Sequence, residues 1–178
     1  MKLDHIAYRV PDRDAFADFY CTLFGYTKQA EFYPFKDSKV DGNATPDSQI
    51  ECVALVPNDK TQPEIFISSG PPDSIVGKWV KKYGGGIHHI AYEVESVQGL
   101  MDKWRKGVPN PLNDGNGKHY LAFTTEEPIV CPEDDLIQVF TRGIHKMGEG
   151  PIIYEFIQRG EHGFCSSSVK KLMESTKE

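Results

Sequence analysis

Leu3-Asp4-His5-Ile6-Ala7-Tyr8-Arg9-Val10 returns almost letter for letter as Ile87-His88-His89-Ile90-Ala91-Tyr92-Glu93-Val94. The match sets His5 opposite His89. Each copy leads into an amphipathic helical stretch that stops at a glycine, Gly25 in the first and Gly107 in the second. A strand–helix unit that occurs twice reads as two copies of one small module. Related by a pseudo-twofold axis, the copies would bring both histidines to their seam, where they can share a ligand such as a metal ion.

The rest of the chain fills out that pattern. After the first strand, Asp12 is placed to cap a helix in which Phe16, Phe19, Tyr20, Leu23 and Phe24 form one broad apolar face, read as core-facing. Strands are expected at Tyr26–Phe35, Gln49–Val56 and Glu64–Ser69, with 36–48 polar and turn-rich enough to be an exposed loop. A helix carrying Ile75, Val76, Trp79, Val80 and Tyr83 then runs to Gly84-Gly85-Gly86. That triple glycine precedes a strand instead of opening a helix, so it reads as a hinge and not a phosphate loop. In the second copy Val97, Leu100, Met101 and Trp104 form the buried stripe, ahead of turn-rich Pro109–Gly117. Strands follow at about His119–Thr124, Leu136–Arg142 and Ile152–Gln158, and a short helix at Val169–Ser175. The expected fold is α+β, two tandem β-α-β-β-β modules forming a cupped sheet around a metal site. The division is 1–72, a linker helix and glycine hinge at 73–86, 87–160, and a terminal helix in 161–178.

Composition narrows the function. A net charge of −6 with lysines scattered among acids argues against a nucleic-acid surface. No apolar run approaches the roughly 20 residues of a membrane span, and the N-terminus enters a strand too soon for a signal peptide, so a cytoplasmic location is expected. Cys21, Cys52, Cys131 and Cys165 form no Cys-x-x-Cys pair; a bridge among them is open but not required, and buried thiols are the favoured reading. Small molecules are the expected partners.

Side chains two apart in a strand share a face. His5 therefore lies with Ala7 and Arg9, and His89 with Ala91 and Glu93, opposite the faces that meet helices. His88 must point the other way. Two imidazoles leave a metal under-coordinated, and Glu155 is the one acid inside the apolar run Ile152–Ile157. Burying a carboxylate costs several kcal/mol, so it needs a partner. An ion pair with Arg142 or Arg159 would serve; a metal held with His5 and His89 explains more. Two histidines and one carboxylate on one face suit Fe(II).

These segments, with Gly85–Ala91, Leu136–Arg142 and Ile152–Arg159, resemble the vicinal oxygen chelate superfamily, which includes glyoxalase I, methylmalonyl-CoA epimerase, extradiol dioxygenases and bleomycin-resistance proteins. The second half is similar to the catalytic half of 4-hydroxyphenylpyruvate dioxygenase, and Gly163-Phe164 with the terminal helix fits that family's closing helix. The resemblance implies His5, His89 and Glu155 as iron ligands. It also implies that Gln138 and Phe140 contact substrate, Phe140 by stacking. Departures lie in the pocket. His88 stands where that family has glutamine, Ser68-Ser69-Gly70 where it has Asn-Glu-Pro, and Val169 where it has an aromatic lid residue. The further N-terminal module pair has no counterpart in this sequence.

The leading expectation is an Fe(II)-dependent dioxygenase acting on a small oxygenated substrate such as a 2-oxo acid, with dioxygen as co-substrate and a homodimer as one assembly. The alternative is an isomerase or lyase of the methylmalonyl-CoA epimerase or glyoxalase I type using Zn, Co, Mn or Ni. A metal-free binding protein of the bleomycin-resistance kind is the third. The epimerase and glyoxalase branches take a fourth ligand from the last strand of the first module, where Glu64 lies. The spacing favours three ligands, with Glu64 outside.

Overall fold

The computed structural model describes residues 1–105, 122–131, 136–143, 150–161 and 164–177. The expected glycine stop at Gly107, the turn-rich 109–117, the first half of the strand expected at about 119–124, and Gly163 lie outside them. By contacts the chain forms two compact units, His5–His88, and Met1–Asp4 with His89–Glu178.

The first unit is built on β1 (Lys2–Arg9), α1 (Arg13–Phe24), β2 (Thr27–Phe32), the two-residue strands β3 (Lys39–Val40) and β4 (Asn43–Ala44), β5 (Glu51–Val56), β6 (Glu64–Ser69) and α2 (Ile75–Tyr83). Asp12 caps α1 by accepting from the Ala15 N–H, and Gly25 ends it in the left-handed region at φ 71°. The polar stretch read as a loop is more ordered than expected: β3 and β4 pair as a hairpin, and a 3₁₀ turn at Pro46–Gln49 follows. The strand order is β2-β5-β6-β1, with β1 and β6 parallel and the other neighbours antiparallel. The core packs Val10, Ala17, Val53, Leu55, Ile65 and Ile67 under Ile6, Tyr8, Phe16 and Tyr20. The Tyr8 and Tyr20 hydroxyls hydrogen-bond at 2.9 Å, and burial together with that bond pushes the Tyr8 phenol up. One expectation for α1 fails. Phe19, Leu23 and Phe24 stay 47%, 62% and 59% exposed, because an apolar arc that wide exceeds what one sheet face can cover.

The second unit repeats the plan with β7 (Gly86–Glu93), α3 (Val97–Arg105), β8 (Ile129–Cys131), β9 (Leu136–Phe140), β10 (Ile153–Gln158) and α4 (Ser166–Ser175). Its order is β7-β10-β9-β8, again with one parallel pair, β7 with β10. Strand β8 was not anticipated; three residues are too few for alternation to register. Helix α3 covers one face, where Val97 and Met101 meet Val139 and Phe156, with Trp104 edge-on to Phe156. A second correction concerns the thiols: Cys131 and Cys165 form a disulfide, while Cys52 is buried and Cys21 partly so. The two units thus share one α+β plan, in which β1 corresponds to β7 and β6 to β10.

Two outcomes follow. Met101 has no exposure, so Met101→Ala should destabilise the fold by about 2–5 kcal/mol, read as a lower denaturation midpoint. Burial pushes the Cys52 thiol up, so at pH 8 an alkylating reagent should label Cys52 only after denaturation. Because the thiol ionises more readily when unfolded, its contribution is intact at neutral pH and falls away as pH rises above the unfolded thiol's ordinary value.

Candidate metal centre

In the second unit, register decides which side chains meet. Strand β10 pairs Glu155 with Ala91 of β7 and with Phe140 of β9, and pairs Ile157 with Gln138. Partners in a ladder share a face, so His89, Ala91, Glu155, Phe140 and Gln138 all lie opposite α3. Glu155 has no solvent exposure, and its Oε2 stands 3.2 Å from Nε2 of His89. The Phe140 ring meets the His89 ring edge-on, 5.4 Å between centroids, and so limits the imidazole's freedom to turn. Gln138 is fully buried, and neither atom of its amide has a hydrogen-bond partner. Such a group costs free energy to bury unless a ligand or water completes it.

In the first unit His5 is 1% exposed and pairs in register with Glu64, while Ala7 pairs with Phe66 and Arg9 with Ser68. His88 behaves as alternation requires. It is buried in the first unit against Trp79, edge-on at 5.6 Å, with the Arg9 guanidinium 5.9 Å from the same indole.

His5 in the first unit, and His89 and Glu155 in the second, are buried side chains that could each offer a metal one ligand atom. Within the second unit, the 3.2 Å between His89 Nε2 and Glu155 Oε2 lies inside the roughly 4.4 Å that can separate two atoms bound to one ion at about 2.0–2.2 Å. A proton shared between His89 and Glu155 would also account for that pair. Imidazole and carboxylate donors suit a divalent ion. Phe140 faces Glu155 across the ladder, and Gln138 lies one rung further on.

In the ladder, Glu64 of the first unit and Glu155 of the second hold different rungs. Glu155 faces Ala91, two residues beyond His89. The same place in the first unit, opposite Ala7, is held by Phe66. Glu64 sits one rung earlier, beside His5 itself.

A repeated β-α-β-β-β module that presents two histidines and a carboxylate defines a metal-chelating class of protein. The chain belongs to the glyoxalase/bleomycin resistance protein/dioxygenase superfamily, whose model matches residues 4–123. An ethylmalonyl-CoA/methylmalonyl-CoA epimerase of Cereibacter sphaeroides is 31% identical over 118 residues, 66% of this chain and 78% of that protein. The human mitochondrial methylmalonyl-CoA epimerase is 29% identical over 60% of this chain, which spans only 54% of it. Among solved structures, a methylmalonyl-CoA epimerase aligns at TM-score 0.60 and 20% identity, covering 90% of this chain and 97% of that one. A mutant 4-hydroxymandelate synthase from Streptomyces coelicolor aligns at TM-score 0.68 and 18% identity, over 99% of this chain and 53% of its own. At those identities the structures speak for the fold alone.

His89→Ala should lower affinity for a divalent ion at least about tenfold in a chelator competition, and His88→Ala should leave it within about twofold. The reverse result would place the strand's phase one residue off.

Proposed function

We propose that this chain is a metal-dependent isomerase of the acyl-CoA epimerase kind, holding a small substrate by two oxygens at His5, His89 and Glu155. The relatives support the class. The observation that carries the reading is Glu64, a carboxylate in register with His5. When bound, a divalent ion supplies Lewis-acid polarisation of the chelating oxygens. Glu64 then takes the proton from one face of the carbon beside the carbonyl, and a second acid or a water delivers a proton to the opposite face, the general acid–base part of an epimerisation. Gln138, whose buried amide lacks a hydrogen-bond partner, donates to and accepts from the substrate, and Phe140 gives it an apolar wall.

One observation favours a second reading, the Fe(II)-dependent dioxygenase. Phe66 occupies the place in the first unit that Glu155 holds in the second, and a site built on His5, His89 and Glu155 alone would have three protein ligands. Three ligands leave about three positions, enough for a bidentate substrate and dioxygen.

The two readings part in one experiment. Protein loaded with Zn, Co, Mn, Ni or Fe(II) is given methylmalonyl-CoA in D₂O, and 2-oxo acids in an oxygen electrode. The isomerase reading expects loss of the α-proton signal without oxygen uptake. Oxygen uptake with Fe(II) alone, and no proton exchange, moves the assignment to the dioxygenase; neither activity sinks both. For the isomerase, Glu64→Gln should cut exchange by about 10²-fold or more at unchanged metal content. Loss of metal in that variant would make Glu64 a ligand instead.

A further inference from the structure

Ladder register places Cys131 on the same face of the second unit as Glu155. Cys131 pairs with Leu136, Ile129 with Gln138, and Gln138 with Ile157, so all of these side chains lie on that face. Cys131, Leu136, Ile157, Cys165 and Phe164 form one apolar cluster there. Helix α4, with Val169, Leu172 and Met173 buried, follows directly from Cys165. Its N-cap residue, Cys165, is therefore tied by the Cys131–Cys165 bond to the face that carries Gln138 and Glu155, whereas α3 covers the opposite face.

The surroundings of Cys165 differ from those of a buried structural bridge. Cys165 is the N-cap of α4, and its Sγ accepts from the Ser168 N–H at 3.4 Å and from the Ser167 hydroxyl at 3.1 Å. Cys165 is 9% exposed and Cys131 not at all. Donors at a helix N-terminus stabilise a thiolate, so the reduced state is favoured at this cysteine. Nearby, the fully buried Gln138 amide, without a hydrogen-bond partner, marks where a ligand would sit under the latched end.

We propose that Cys131–Cys165 is a reversible redox latch that holds α4 over the ligand-bearing face when oxidised and releases it when reduced. The co-reactant is a dithiol. One of its thiolates attacks the more exposed Cys165 sulfur, forming a mixed disulfide and expelling the Cys131 thiolate. The second thiol of the reductant then attacks its own bridging sulfur and expels the Cys165 thiolate. The protein disulfide gains two electrons, the dithiol becomes a disulfide, and water supplies the protons that neutralise Cys131. This inference extends the metal-site reading above, but its first readout does not depend on a metal.

The test follows hydrogen exchange of the α4 amides in native protein before and after treatment with a dithiol, with thiols counted by mass. Reduction should expose two additional thiols and speed exchange across 166–175 at least about fivefold, with α3 unchanged. In metal-loaded protein, chelator removal should accelerate in parallel. Cys165→Ser should match the reduced protein and ignore the dithiol; Cys131→Ala serves if that variant does not fold. Four thiols in non-reduced protein, or α4 exchange unaltered after two new thiols appear, would overturn the latch. A wild-type chain that shows latch-dependent α4 exchange but binds no ion would instead refute the metal reading and leave the latch standing.

Discussion

A carboxylate without solvent exposure, in the middle of an otherwise apolar strand, is the constraint around which the second unit is arranged. Left alone, Glu155 would cost several kcal/mol to bury. The ladder answers by placing His89 at 3.2 Å, with Phe140 as the rung opposite Glu155 and edge-on to the imidazole. The parallel pairing of β7 with β10 makes this meeting possible, since it sets Glu155 one rung past His89 on a shared face. A slip of one residue would turn the acid into the α3 core.

The first unit uses the same strand plan to a different end. Its histidine is retained, but the rung that holds the acid in the second unit holds Phe66. The repeat is thus symmetric in backbone and asymmetric in chemistry. Each module carries one histidine at the matched strand position, and only the second carries an acid at the rung opposite the alanine two residues on. Glu64 stands one rung earlier, in register with His5 itself.

The two faces of the second unit are also put to different uses. Against α3 the packing is tight and apolar, with Met101, Val139, Phe156 and the Trp104 ring interlocked. On the other face polar groups are buried, and the covering element is a short terminal helix secured at its first turn by a disulfide.

Read by itself, the sequence determined the repeated module and the α+β class. Those features depend on local rules: strand alternation, helical periodicity and glycine stops act over a few residues and leave their period in the chain. It also separated His88 from His89, because consecutive strand residues cannot share a face. Long-range pairing carries no such period. That Phe66 and not Glu64 stands at the counterpart of Glu155 depends on register between strands far apart in the chain. So does the meeting of Cys131 with Cys165 across 34 residues. The outward turn of Phe19, Leu23 and Phe24 was equally beyond reach, since an amphipathic pattern shows which residues are apolar but not how much sheet is available to cover them. Only the tertiary structure decided these, because each is a fact about what a side chain finds opposite it, and the chain does not encode that locally.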